Sequence, residues 1–92
     1  MICNIAALRN KQVVSVESGT VIGYVSDIEF DSETGEIKNL IVYGKNRLFG
    51  ILGREQDLEI PWSGVSVVGQ ETVLIKGEMQ IRGNSGKKYF GS

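Results

Sequence analysis

Five carboxylates, Asp27, Glu29, Asp31, Glu33 and Glu36, form the densest run of groups able to do chemistry in this chain. Asp31, Glu33, Gly35 and Glu36 have the outline of a calcium loop. Such a loop needs glycine at its sixth position and a bidentate acid at its twelfth. Counted from Asp31, those positions hold Glu36 and Val42, so a solvated hairpin turn is the simpler reading and no metal is expected. GNSGKK, residues 83–88, fails as a phosphate cradle in the same way. Ile81 stands where the first glycine of a P-loop belongs, and Lys88 where Ser or Thr should follow the lysine. The sequence contains no histidine, which removes Ser-His and Cys-His pairs, imidazole metal ligands and the ordinary general base of neutral pH. An enzyme built on this chain would have to act on a small substrate through carboxylates alone. No catalytic residue, cofactor or small-molecule substrate is assigned.

The frame that positions these groups is small. Ninety-two residues make one domain, and 41% hydrophobic with 23% charged residues is an ordinary globular composition. A net charge of −1 argues against a binder held to nucleic acid by phosphate contacts, which needs a clustered excess of Lys and Arg. Cys3 is the single cysteine; it can form no disulfide within the chain and fits a reducing compartment. MICNIAALRN is too short an apolar start for a signal peptide, because Asn4 interrupts it and Arg9 ends it. No run approaches the ~20 apolar residues that span a bilayer. The expected location is cytoplasmic, without membrane insertion.

Short β-branched runs separated by turn residues dominate the pattern, as in an all-β barrel or sandwich. Asn4 can cap a single helical turn over residues 5–9 that brings Leu8 to the core. Strands are expected at 12–16 and 20–31. In the second, Gly23 sits among β-branched neighbours and the apolar positions change parity, with Val25 odd and Ile28 and Phe30 even. Side chains alternate faces with period two, so the switch needs an extra residue; a bulge near Ser26 and Asp27 would supply it and bend the strand. Asp27 is well placed to accept backbone N–H bonds that such a bulge leaves unpaired. DSETGE, 31–36, reads as a hairpin turn with Gly35 at positive φ. Strands at 36–44 and 57–61 follow, and residues 65–69 and 71–76 pair as a closing hairpin across Gly69 and Gln70.

LEIPWSGV, residues 58–65, sets the only proline before the only tryptophan. Pro61 lacks an N–H for the ladder and restricts Ile60 to extended backbone, so it ends the strand and delivers Trp62 at a fixed place on the barrel's end. Trp62 can plug that end, or stay partly exposed beside RLFGILG, residues 47–53. That stretch lies in the longest connection, 45–56, yet carries Leu48, Phe49, Ile51 and Leu52. Four exposed apolar side chains together would approach the patch size that soluble monomers rarely leave uncovered. They either fold back over the barrel mouth onto Trp62 or pack against another chain. A second copy is the readiest partner, because twofold self-association pairs like surfaces. Leu48, Phe49, Ile51, Leu52 and Trp62 are therefore the candidate interaction surface, with Gly23, Asp27 and Pro61 in structural roles.

GTVIGYVSDIEFDSETGEIKNLIV, 19–42, resembles the PRC-barrel superfamily in its G-x-x-x-G-x-V-x-D-hydrophobic pattern, and IPWSGVSVVGQETVLI, 60–75, extends the resemblance. The Gly- and Leu/Phe-rich stretch before IPW is similar to the single-domain YlmC/YmxH group, which is linked to sporulation. The resemblance implies a small PRC-type β-barrel of five or six mostly antiparallel strands, with a short N-terminal turn and a frayed tail. It implies a non-catalytic protein-interaction or assembly module. An RNA- or ribonucleoprotein-associated role, as in RimM-like proteins, is the alternative, and a carboxylate enzyme the more distant one.

From Gly77 onward Gly, Ser, Lys and Asn accumulate. The expected organisation is one domain over 1–82 and a flexible tail over 83–92, where only Tyr89 and Phe90 could anchor. Deletion after Arg82 is expected to change the unfolding free energy by less than about 1 kcal/mol in chemical denaturation; a loss of several would mean that those aromatics dock on the barrel.

Overall fold

A computed structural model describes residues 2–44, 57–77 and 79–82. The chain opens with a single helical turn, α1 (Ile5–Leu8). The Asn4 side chain accepts the Ala7 N–H at 2.7 Å, satisfying one of the donors a helix start leaves orphaned, and Leu8 is buried. Asn10, at φ 73°, then turns the chain into β1; a short polar side chain tolerates that left-handed backbone.

Eight short strands follow among the described residues: β1 (Gln12–Ser15), β2 (Val21–Tyr24), β3 (Asp27–Phe30), β4 (Ile37–Val42), β5 (Asp57–Pro61), β6 (Val65–Val68), β7 (Thr72–Ile75) and β8 (Gln80–Arg82). They form two four-stranded sheets, ordered β2-β1-β7-β6 and β3-β4-β5-β8. Among the pairings described, only β1 with β7 is parallel. The arrangement is consistent with the small β-barrel expected from the sequence.

The strand expected over 20–31 is divided between the sheets. The Val25 N–H donates to the Lys11 carbonyl in the first sheet, and the Ser26 N–H, one residue later, donates to the Ile41 carbonyl in the second. The residue that switches parity is thus a corner between sheets. The register irregularity within β3 lies further on, between Glu29 and Phe30, and Phe30, beyond it, is 58% exposed. At the tip of the β3–β4 hairpin Gly35 takes φ 81°, and Asp31 Oδ1 accepts the Glu33 and Thr34 N–H groups. The other departure concerns the region after Gly77. Residues 80–82, for which no strand is expected from the sequence, pair with β5, Arg82 opposite Asp57 and Gln80 opposite Glu59.

One core lies between the sheets. Val13, Ile22, Val25, Val73 and Ile75 come from the first side and Leu40, Val42, Leu58 and Ile60 from the second, with Leu8 from α1. Gly23 is buried opposite Val13 in the β1–β2 pair. Burying each large aliphatic side chain contributes about 1.5–3 kcal/mol.

Lys11 is an exception to the apolar interior: it is only 8% exposed. Its ammonium donates to the Gly69 carbonyl at 2.7 Å and to the Gln70 carbonyl, both in the β6–β7 turn. A buried cation needs such partners, and here it ties the start of β1 to the closing hairpin. Lys11→Met keeps the stem and deletes the donors, leaving two carbonyls without that partner. The expected cost is about 1–3 kcal/mol by urea denaturation; a change under about 0.5 kcal/mol would show that the turn does not depend on this contact.

Candidate interaction surface

β5 ends at Pro61, which adopts φ −57° and ψ 140° and pairs with Asn39. The next three residues, Trp62–Gly64, form a 3-10 turn that carries the chain into β6. The turn lies tight against the end of β7. The Lys76 N–H donates to the Gly64 carbonyl at 2.9 Å, and a Cβ on Gly64 would stand 2.9 Å from the Lys76 carbonyl oxygen. A side chain there would push the two backbones apart, so glycine is required by proximity rather than by φ.

This turn fixes Trp62 at the margin of the core. The indole is half-buried and packs against the core cluster. It also lines a recess of about 250 Å³ with Cys3, Asn4, Ile5, Leu8, Ile37 and Val68. None of the described residues that line it is charged, and Ile5 at its edge is 57% exposed. Such a surface offers apolar contact area and little directional bonding. The contribution of α1 to it was not anticipated from the sequence, where the exposed Ile5 is indistinguishable from a core residue. Leu48, Phe49, Ile51 and Leu52 lie outside the described residues.

The carboxylates serve mainly as acceptors for nearby donors. Asp27 Oδ1 accepts the Ile28 N–H at 2.8 Å and Oδ2 accepts the Tyr43 hydroxyl at 2.9 Å. Ser26 Oγ accepts the Tyr43 N–H at 2.9 Å and donates to the Tyr24 carbonyl at 3.3 Å. Asp57 Oδ1 accepts the Gly44 N–H at 2.8 Å, and the Asn39 amide donates to Glu29 Oε1 at 3.0 Å. Among the described residues no group of three or more His, Cys, Asp or Glu side chains could hold a metal ion. A second recess, of about 440 Å³, is lined by Glu17, Pro61, Ser63, Gly64, Lys76 and Gly77. Neither recess gathers Asp27, Glu29 or Asp57, the acids on which a carboxylate mechanism would depend. No helix among the described residues is long and apolar enough to cross a membrane.

The site thus sits on a two-sheet β fold with a corner at Val25 and Ser26 and a Pro-Trp turn into the closing hairpin. The PRC-barrel domain matches residues 4–87, and the chain belongs to that family. It is 32% identical over 73 residues to the probable sporulation protein YlmC of Bacillus subtilis, covering 79% of this chain and 90% of that one. An uncharacterised protein of Clostridium acetobutylicum is 25% identical over 75 residues, covering 82% of this chain and 85% of that one.

Proposed function

We propose that this chain is a non-catalytic protein-interaction or assembly module of the PRC-barrel type, acting in the cytoplasm and in sporulation. Its domain spans residues 1–82, followed by the tail 83–92. Its contact surface combines Leu48, Phe49, Ile51 and Leu52 with Trp62, and its partner is another protein or a second copy of itself. The observation that supports this reading is the placement of Trp62: a 3-10 turn holds the largest side chain half-buried beside a recess whose described lining is mostly apolar and carries no charged residue, the kind of aromatic anchor around which protein contacts are built. The sporulation link is supported by similarity to the Bacillus relative.

Charge placement weighs against the RNA-associated alternative. Residues 27–42 carry five acids (Asp27, Glu29, Asp31, Glu33, Glu36) against one lysine, Lys38, a balance of 1 − 5 = −4. With a chain total of −1, the remainder holds only −1 − (−4) = +3. An acidic hairpin of that strength repels a phosphate backbone. The test of the proposed surface is affinity capture by wild type and by a Phe49→Asp/Leu52→Asp variant. Partners lost only with the variant are expected, and identical capture by both would reject the surface.

A further inference from the structure

Ile37 lines the recess beside Trp62 and stands opposite Phe30 in the β3–β4 ladder. Directly opposed residues put their side chains on one face of the sheet, about 4.5–5.5 Å apart at Cβ, so the Phe30 ring borders the recess. Phe30 and Ile5 are both more than half exposed, and so is Ile2 beside Cys3. Leu8 and Trp62, by contrast, are drawn onto the core. At about 250 Å³ the recess is smaller than the about 300–1,000 Å³ of sites for drug-sized ligands, and it suits one large side chain. The charge beside it has one sign in excess. Glu29, Asp31 and Glu36 are sequence neighbours of Phe30 and Ile37, and Glu33 lies in the hairpin turn between them. The cations next to lining residues among those described are Arg9, after Leu8, and Lys38, after Ile37, a balance of 2 − 4 = −2. Lys38 already donates to Glu36 Oε1 at 3.4 Å.

We propose that this recess receives one aromatic or large aliphatic side chain from a basic segment of a partner protein, with lysine or arginine flanking the inserted residue. The proposal rests on the reading of the chain as a protein-interaction module and names the partner chemistry at its Trp62 end. Insertion covers the open rims of Phe30 and Ile5 and supplies most of the affinity, as buried anchors do. The flanking cations lie against the acidic base and tip of the β3–β4 hairpin, where exposed charges set orientation and discriminate between partners more than they add affinity. An acidic segment carrying the same inserted side chain would meet the excess of carboxylates and be rejected.

Trp62 is the only tryptophan of the chain, so its fluorescence reports on the recess directly. The full-length protein is titrated with the end-blocked peptides KKFKK, EEFEE and KKAKK, which contain neither tryptophan nor tyrosine. KKFKK is expected to change the Trp62 emission saturably, with EEFEE and KKAKK each about tenfold weaker. Raising the ionic strength from about 0.05 to 0.5 M should narrow the gap between KKFKK and EEFEE, because exposed charges are screened. Phe30→Ala should weaken KKFKK about fivefold with the melting temperature unchanged, and Glu33→Gln with Glu36→Gln should remove most of the preference over EEFEE. The absence of a saturable change with KKFKK would overturn the proposal, as would equal affinity for EEFEE. KKAKK binding as well as KKFKK would overturn the insertion, and variants that all bind like wild type would place the peptide elsewhere. Emission that changes with protein concentration alone and resists KKFKK would give the recess to a second copy and also overturn it. The interaction reading fails separately. Loss of the peptide response beside capture that still depends on Phe49 and Leu52 removes only the partner chemistry, whereas KKFKK binding beside capture indifferent to those residues removes their surface and leaves the recess.

Discussion

Leu40→Ala is expected to lower the free energy of unfolding by about 2–5 kcal/mol, the range for a large-to-small change that leaves a cavity. Leu40 occupies the interior of β4, the longest strand described, with β3 and β5 on either side. It stands opposite Ile28 on one neighbour and Ile60 on the other and is 0% exposed. Its side chain belongs to the cluster that holds the two sheets together, so the surroundings cannot collapse without moving both. A domain of this size is stable by only about 5–10 kcal/mol, and the variant would lose a large fraction of that. Phe30→Ala is the control: Phe30 lies past the irregularity in β3 and faces solvent, and the expected change is under about 1 kcal/mol. Urea denaturation of both variants checks the pair. Similar costs at the two positions would mean that the second sheet turns its other face to the core.

Local chemistry made much of the fold legible. Asn4 before an apolar turn, Gly35 in a polar hairpin and the β6–β7 hairpin are features set by neighbours in sequence, and each stands where the residues imply. The parity change after Val25 was also readable, but a bulge inside one strand and a corner between two sheets shift the alternation by the same single residue. Only the partners of consecutive N–H groups, Lys11 for Val25 and Ile41 for Ser26, distinguish them. The parallel pairing of β1 with β7 joins segments from opposite ends of the chain, and nothing in either run names the other. β8 is three residues long and sits in a stretch whose composition suggests loop; its ladder with β5 is a tertiary fact.

The candidate site was legible in part. Pro61 and Trp62 announce a strand end and an anchored ring, and the turn places them so. The recess beside the indole draws Ile5 and Leu8 from a helical turn far away in sequence, which periodicity does not reveal. Buried Lys11 and the Asp57–Gly44 bond were invisible for a related reason. Charged residues are normally solvated, and nothing local shows that a lysine will cap a distant hairpin or that an aspartate will accept the N–H of a glycine on another strand's end.

The central claim is that residues 47–53 form a contact surface between chains, and substitution of Phe49 has the largest effect the account predicts on assembly. An aspartate introduced at an interface between copies places a charge where apolar surface should be covered, and association fails while each chain keeps its own core. The same aspartate in a closed core would be a buried unpaired charge and would lower stability by several kcal/mol. The most direct measurement is sedimentation velocity of wild type and Phe49→Asp across a range of concentrations, with melting temperatures taken on the same samples. With a second copy as the partner, the account predicts a wild-type protein that associates with rising concentration; with either partner, it predicts a Phe49→Asp protein that remains a folded monomer with nearly unchanged melting. A wild type that stays strictly monomeric, beside a Phe49→Asp protein that has lost much of its stability, would contradict it.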